Sequence, residues 1–499
     1  MNYLIKKNHI ISKTISLALF LSFNMGFSQD FKITELTLKD YLSDLATLEN
    51  IIQKQHPNPY QFLSEKEQKK RKEENIKRLK KEPSFENFLK CVNRIGDGHL
   101  EYNSSKIKEE YIDYLKTTQN FFPFPVVLRD GRMFVNIKGG SLPYGTEIIS
   151  IQKKSVKDIL KILNQHVHGD GYIMSFTESV YPSFIMYYFS FIENNAHEFQ
   201  IEYLSNTTNI PKKITLKGID IYEVNRRNKL SVQPVNVLEL RSMIDSRYLK
   251  DKKIGVLTVN SFNLTEAYAY KHFSKFFRKI RNEKYRNIII DIRDNGGGDP
   301  NIASLLFSFI RDKNFKNEFN YRVKTIKVEK ENLLDNNENP AGDKFISEVE
   351  NWLYQRFNEE KDGYYVGNNR LKQGTLENYP PDKDNYKGNV FLIVGGSTFS
   401  AAVYFAKLFK DYKRGKIIGS ETGGNEDFTF AGWFLFYKLP KTKVVVRIPM
   451  TELYFGDLKK SRSNHGVLPD IAVPTKKFIE YLRKEKDPEM QYLLDTYIK

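Results

Sequence analysis

"LIVGGSTFSAAVYFAKLF" (392–409) runs from a short apolar stretch through a glycine pair and a knot of small hydroxyl residues into a second apolar stretch. The first part fits a buried strand and the last an apolar helix. The junction holds Ser397, Thr398 and Ser400. Hydroxyl residues are common helix caps, because their oxygens accept the free N–H groups of the first turn. The same free N–H groups and the helix dipole also favour a developing negative charge, so a serine there is a candidate nucleophile. On the first reading Ser397 or Thr398 caps the helix; on the second Ser400 does chemistry and needs a partner to take its proton.

Working outward, "IGVLTVNSF", "NIIIDIRDNGGGD" and "KIIGSETGG" read as strands, and "EAYAYKHFSKFFRKIR" and "NIASLLFSFIRD" as helices between them. Strands alternating with helices imply an α/β layer with a largely parallel sheet. Residues 313–388 are charged and read as irregular, a cover for the site rather than part of the core. The chain closes on a helical segment, 478–498. Residues 36–117 read as helical, with "HPNPY" and "GDGH" as breaks. From Phe121 short strands take over, with an Asp-Gly hairpin signal at Asp130-Gly131. No internal repeat is evident.

The chain begins with "MNYLIKKNHIISK", three lysines and no acid, followed by the apolar "TISLALFLSFNMGFS". That pattern, with Gly26 and Ser28 before a polar turn, is the form of a secretory signal peptide over 1–28, and its apolar part is short of the ~20 residues a span needs. Nothing after it is long and apolar enough to span. Cys91 is the single cysteine, so no disulfide forms within the chain. Export without disulfides fits a periplasmic or secreted bacterial protein. Net charge is +17, but the basic residues alternate with acids, as in 65–82, like a solvated helix face. A nucleic-acid binder would show a basic stripe with interleaved aromatics, which is missing here. No His-Glu-x-x-His, cysteine cluster or calcium loop is present, so neither a metal nor another cofactor is expected.

Three stretches carry chemistry. The glycines of "DIRDNGGGD" (291–299) let backbone amides approach a ligand, as an oxyanion hole requires, or simply make a tight turn. Ser400 is the candidate nucleophile. His99, in "IGDGHLEY" (95–102), is a candidate general base, the usual partner of serine, or a turn histidine.

Taken together and in this order, these stretches resemble the tail-specific (C-terminal processing) serine peptidases, and within them the tricorn-core-like branch. The strand motif stands as Asp291, Arg293, Asn295, Gly297 and Gly298; the nucleophile motif as "TFSAA"; the branch's Asp-Gly-His as Asp97, Gly98 and His99; and "GVLPDIAV" (466–473) is similar to the family's late strand. "LPYGTEIISIQKKSVKDIL" resembles a PDZ-like module. The resemblance implies a ClpP/crotonase-like mixed α/β sheet core with flanking helices over 229–475, a helical N-terminal domain over 29–118, a small β-rich PDZ-like domain over 119–228 and a C-terminal helix over 476–499. It implies that Ser400 attacks a peptide carbonyl, that His99 takes and returns the proton, and that the amides of Gly297 and Ala401 hold the oxyanion. Peptides or unfolded proteins would be the substrates, captured by strand addition to the PDZ-like module; oligomer formation stays open. The chain departs from the family in places. It has no lysine from Ile417 to Tyr437, which disfavours a serine–lysine dyad, and the stretch "SRSNHG" before the late strand holds no acid. Glu421 is the candidate for orienting His99. A catalytically weak or inactive peptide-binding protein on the same fold is the alternative.

Overall fold

The computed structural model describes residues 36–498, apart from 93–94, 104–120, 167, 184, 187–196, 207, 234–241, 372–377 and 457–462. The segment read as a signal peptide lies outside the described residues.

At the centre is a five-stranded sheet in the order Lys416–Gly419, Asn389–Val394, Asn287–Asp291, Ile254–Val259 and Ile244–Leu249. The first four run parallel and the last closes the edge antiparallel. Because side chains alternate across a strand, both faces of the inner strands must be covered, and IGVLTV, NIIID and NVFLIV are mostly apolar, whereas the edge strand Ile244–Leu249 carries Asp245, Ser246 and Arg247. Leu257, Ile288, Ile290, Leu392 and Val394 pack against helices Glu266–Asn282, Pro300–Ser308 and Ala401–Asp411. Val256, Ile289, Ile393 and Ile418 pack on the other face with Phe478, Leu482 and Leu493 of the C-terminal helices Thr475–Arg483 and Pro488–Thr496. The mixed α/β core follows from the sequence pattern. Residues 313–388 depart from it: they form helix Asp343–Arg356 and strands that join two further sheets, with Phe319–Val323 paired to Thr451–Phe455 and Leu333–Leu334 to Phe434–Lys438. Periodicity misses them because these strands are short and mostly half-buried.

The N-terminal helices Leu38–Gln55, Glu65–Lys81 and Phe85–Val92 match the helical reading. The first two start at capping boxes made by Thr37 and Ser64. Helix Glu65–Lys81 buries only Gln68 and Leu79, as a solvated charged face should. These helices do not stand apart: Tyr41, Leu48, Phe88 and Val92 share one buried cluster with Phe122 and Val126 of the β-rich module and with Val446 and Ile448 of the core. Asp44, on the first helix, accepts the backbone N–H groups of Lys441 and Thr442, 3.0 and 2.6 Å away.

The β-rich module is an antiparallel sheet in which Val126–Arg129 is one edge strand and Pro211–Lys217 the other. It turns into Arg132–Val135 through Asp130 and Gly131, both at positive φ, the hairpin that Asp-Gly signalled. Helix Val156–Leu163 is capped by Ser155.

Candidate active site

The turn after Asn389–Val394 is where the nucleophile reading is decided. Thr398 is not a cap: its hydroxyl donates to Ile292 O (2.9 Å) and accepts Gly395 N–H (3.0 Å), tying the two central strand exits together. Ser397 Oγ is buried and without a partner among the described residues, so the expectation that these two cap the helix does not hold. Ser400 itself stands at the N-cap position, yet its side chain makes no cap hydrogen bond. Its backbone is at φ 54, ψ −123, a region that costs a non-glycine residue roughly 1–3 kcal/mol. The strain places a half-buried hydroxyl at the helix start while leaving it unspent on the helix. Such a strand–serine–helix elbow is a way to present a nucleophile.

The glycine loop lies directly beneath. A side chain at Gly297 would come within 2.7 Å of Ser400 Cβ, and its φ of 105 is open only to glycine. Asn295, fully buried, fixes this loop: its backbone carbonyl accepts Phe399 N–H (3.0 Å), and its side chain donates to Val259 O (3.1 Å). Its Oδ1 accepts Gly297 N–H at 2.8 Å. The Gly297 amide, expected to face an oxyanion, is therefore engaged, whereas no hydrogen bond from Ala401 N–H is present among the described residues. Arg293 of the same motif turns away, to Asp291 (2.8 Å), Asp487 (2.9 Å) and Glu489 (3.2 Å), and fastens the C-terminal helix to the sheet.

His99 reaches this turn because the strand after it, Glu101–Asn103, pairs antiparallel with Val445–Pro449 of the core. Arg447 adds to that seam, donating to His99 O at 3.1 Å and pairing with Glu101 at 2.9 Å. The imidazole stacks on Phe399, the neighbour of Ser400, with centroids 4.6 Å apart. His99 Nδ1 lies 3.2 Å from Thr429 Oγ1. Nε2 has no hydrogen-bond partner among the described residues, and none joins the ring to Ser400. Burial pushes the imidazole down to about 4, against the opposing pull of Asp97.

Glu421 makes no hydrogen bond to this ring among the described residues. Its Oε1 accepts Gly466 N–H at 2.9 Å, bracing the 466–473 segment, and Thr429 occupies the Nδ1 side instead. Thr429 is out of reach of spacing arguments, being 330 residues from His99. A polar residue between two phenylalanines in "FTF" (428–430) is the only local signal it gives.

Under the histidine lies a buried polar cluster. Asp97 Oδ1 accepts His99 N–H (2.8 Å), and Oδ2 meets His56 Nε2 (3.1 Å). His56 belongs to "HPNPY", which by sequence is only a helix break. Asp170 completes the cluster; desolvation, and then Asp97, push its carboxyl up to about 8. Ligand atoms of Asp97, His99 and Asp170 lie within 4.8 Å of one another, close enough for a metal ion, a grouping that sequence spacing did not reveal. Both carboxylates are already supplied with protein donors, however: the Asp170 oxygens accept Gly98 N–H (3.2 Å) and Asn425 N–H (3.1 Å).

A cleft of about 480 Å³ opens beside Gly395 and Arg293, between the C-terminal helices and the module's edge strand Val126–Arg129. A second, of about 660 Å³, runs past Glu421, Ser420 and Lys157. Neither Ser400 nor His99 lines either cleft. Among the described residues no helix is long and apolar enough to cross a membrane.

Comparison with known proteins follows the same lines. The family model of "Peptidase family S41" matches residues 253–473, which span the four parallel strands of the central sheet, the glycine loop, Ser400 and the 466–473 segment. A search of curated proteins gives no match. Among solved structures, mature CPAF complexed with lactacystin is similar at 15% identity over 92% of this chain and 97% of that one, with a TM-score of 0.57. A second structure of mature CPAF gives 16%, 91%, 96% and 0.56. At this identity the likeness is one of fold, and it extends through the N-terminal helices and the β-rich module.

Proposed function

The chain belongs to the tail-specific S41 serine peptidases, and from that premise we propose that Ser400 is its nucleophile, His99 its general base and the Ala401 amide its oxyanion donor. The observation that carries this reading is the strained backbone of Ser400, whose hydroxyl is not spent on the helix, beside a histidine with an unpartnered Nε2. Ser400 Oγ attacks the peptide carbonyl carbon and its proton passes to His99 Nε2. The carbonyl oxygen takes the negative charge and receives Ala401 N–H, aided by the helix dipole. Collapse expels the amine, which takes the proton back from His99, and water then repeats the sequence on the acyl-enzyme. The burial that lowers the imidazole makes it a weaker base but keeps it neutral, and so free to accept a proton, through mildly acid pH. Gly297 N–H joins the oxyanion hole only by releasing Asn295 Oδ1.

This is the histidine branch of the family, with Thr429 accepting from Nδ1–H in place of a carboxylate. A neutral acceptor stabilises the imidazolium less than a carboxylate does, so a slow endopeptidase is expected. The edge strand Val126–Arg129 borders the 480 Å³ cleft, which supports capture of an extended peptide by strand addition. The lysine-flanked apolar start of the chain supports export to a periplasm or beyond.

The test compares wild type, Ser400→Ala and His99→Ala on an unstructured peptide, together with labelling by a fluorophosphonate. Hydrolysis and labelling should both vanish in Ser400→Ala. Equal hydrolysis by Ser400→Ala and wild type would remove Ser400 from the mechanism. Peptide binding without hydrolysis by any of the three would favour a binding protein on this fold.

A further inference from the structure

The loop that carries His99 is also held by a residue for which the proposed mechanism has no use. Asp170 sits in the turn Asp170–Tyr172, well after the His99 strand in sequence, and is 1% exposed. Its three polar groups reach three places. The backbone N–H donates to Gly423 O (3.0 Å), Oδ2 accepts Asn425 N–H (3.1 Å), and Oδ1 accepts Gly98 N–H (3.2 Å), next to His99. The next residue repeats the link, Gly171 N–H donating to Gly96 O at 2.8 Å. Gly423 in turn donates its N–H to Thr398 O (3.0 Å), two residues before Ser400. The carboxylate thus bridges the loop of the base and the turn that supports the nucleophile.

We infer that Asp170 is a positioning residue for the reaction, holding loop 96–99 against turn 422–425 so that the His99 ring lies over the nucleophile elbow. The inference rests on the Ser400–His99 reading. Two features say that the carboxyl is kept for this purpose. The site is unfavourable for it, since it is buried beside Asp97 and His99 and no cation pairs with it among the described residues. Moreover, only a carboxyl group meets the need. Charged or protonated, each of its oxygens retains a lone pair for one N–H, whereas an amide nitrogen offers none and a serine offers one oxygen for two donors.

The experiment uses the mature full-length chain with Asp170→Asn and Asp170→Ser, each alone and combined with His99→Ala. The readouts are kcat and KM on an unstructured peptide and the rate of fluorophosphonate labelling at Ser400, all per folded molecule. We expect Asp170→Asn to lower kcat and the labelling rate by roughly 10- to 100-fold, with KM changing less than about threefold, since a misplaced base costs the chemical step rather than binding. In the His99→Ala background, adding Asp170→Asn should change residual labelling less than about twofold, because residues that act as one unit are not additive. Asp170→Ser should behave the same way, and it decides the matter if the asparagine variant does not fold. An Asp170→Asn enzyme within twofold of wild type, or one whose loss multiplies in the His99→Ala background, overturns the inference. Full activity in Ser400→Ala would instead overturn the catalytic reading on which it rests.

Discussion

Replacing Thr429 by valine tests the least expected part of the site. The two side chains are nearly the same shape, so the change removes the Oγ1 acceptor 3.2 Å from His99 Nδ1 and little else. The Nδ1–H, buried with the ring against Phe399, then has no partner. A buried donor left unsatisfied costs about 1–3 kcal/mol. The free ring escapes part of that cost by flipping or by moving its proton to Nε2, and either change spoils it as a base. At about 1.4 kcal/mol per tenfold, the loss in kcat/KM is roughly 5- to 150-fold. Thr429→Ser retains the hydroxyl and should stay within about threefold of wild type. The assay is steady-state hydrolysis of an unstructured peptide, with thermal unfolding as a control; a chain this large should lose only a few degrees for such a change. A valine variant as active as wild type, equally stable, would show that Thr429 does not orient His99.

Ser400→Gly should abolish hydrolysis yet raise stability by about 1 kcal/mol, because glycine occupies φ 54, ψ −123 without strain; a lower melting temperature than Ser400→Ala would contradict the strain argument. Gly297→Ala should cost activity and stability together, since the new methyl meets Ser400 Cβ at 2.7 Å from a backbone that side chains rarely adopt; a fully active, fully stable variant would refute the close packing. The acid limb of kcat/KM should fall near pH 4 to 5 rather than near 6.5, because the free enzyme's base is held down to about 4 by burial; a limb at 6.5 would mean an exposed base. Stability should follow the buried histidines. His99 and His168 at about 4, and His166 at about 3, all lie below the unfolded value of 6.5, so their contribution is present above about pH 6.5 and is lost as pH falls through 4. Asp170 opposes them: its folded value of about 8 lies above the unfolded 3.8, so its contribution grows as pH falls from 8 to 3.8. Denaturant midpoints between pH 8 and 4 would show the net acid loss, and a rising midpoint would refute it.

The central sheet was legible because its inner strands are buried on both faces and its helices on one, and those two burial patterns write different periodicities into a chain. The glycine loop, Ser400 and the Asp-Gly hairpin were legible for a related reason: each is a local backbone requirement that few residue types satisfy. What 313–388 does was not legible, since short half-buried strands leave no strong period. Three site assignments changed for one physical reason. Thr398 bonds the neighbouring strand exit rather than the helix, Gly297 N–H goes to Asn295, and Glu421 braces Gly466. Each of these bonds depends on which partner the fold brings near, and polar groups bond to what they meet once water is excluded.

The sequence by itself determined the sheet and its flanking helices, the elbow and the residue types able to do acyl transfer, because those are properties of segments a dozen residues long. Only the tertiary structure decided what surrounds His99. Strand Glu101–Asn103 must pair with Val445–Pro449, and Phe428–Phe430 with Thr451–Phe455, before Thr429, Asp97 and Asp170 stand around His99. An imidazole's proton affinity and direction are set by the few groups that touch it, and here two of those groups, Asp170 and Thr429, come from parts of the chain far from His99.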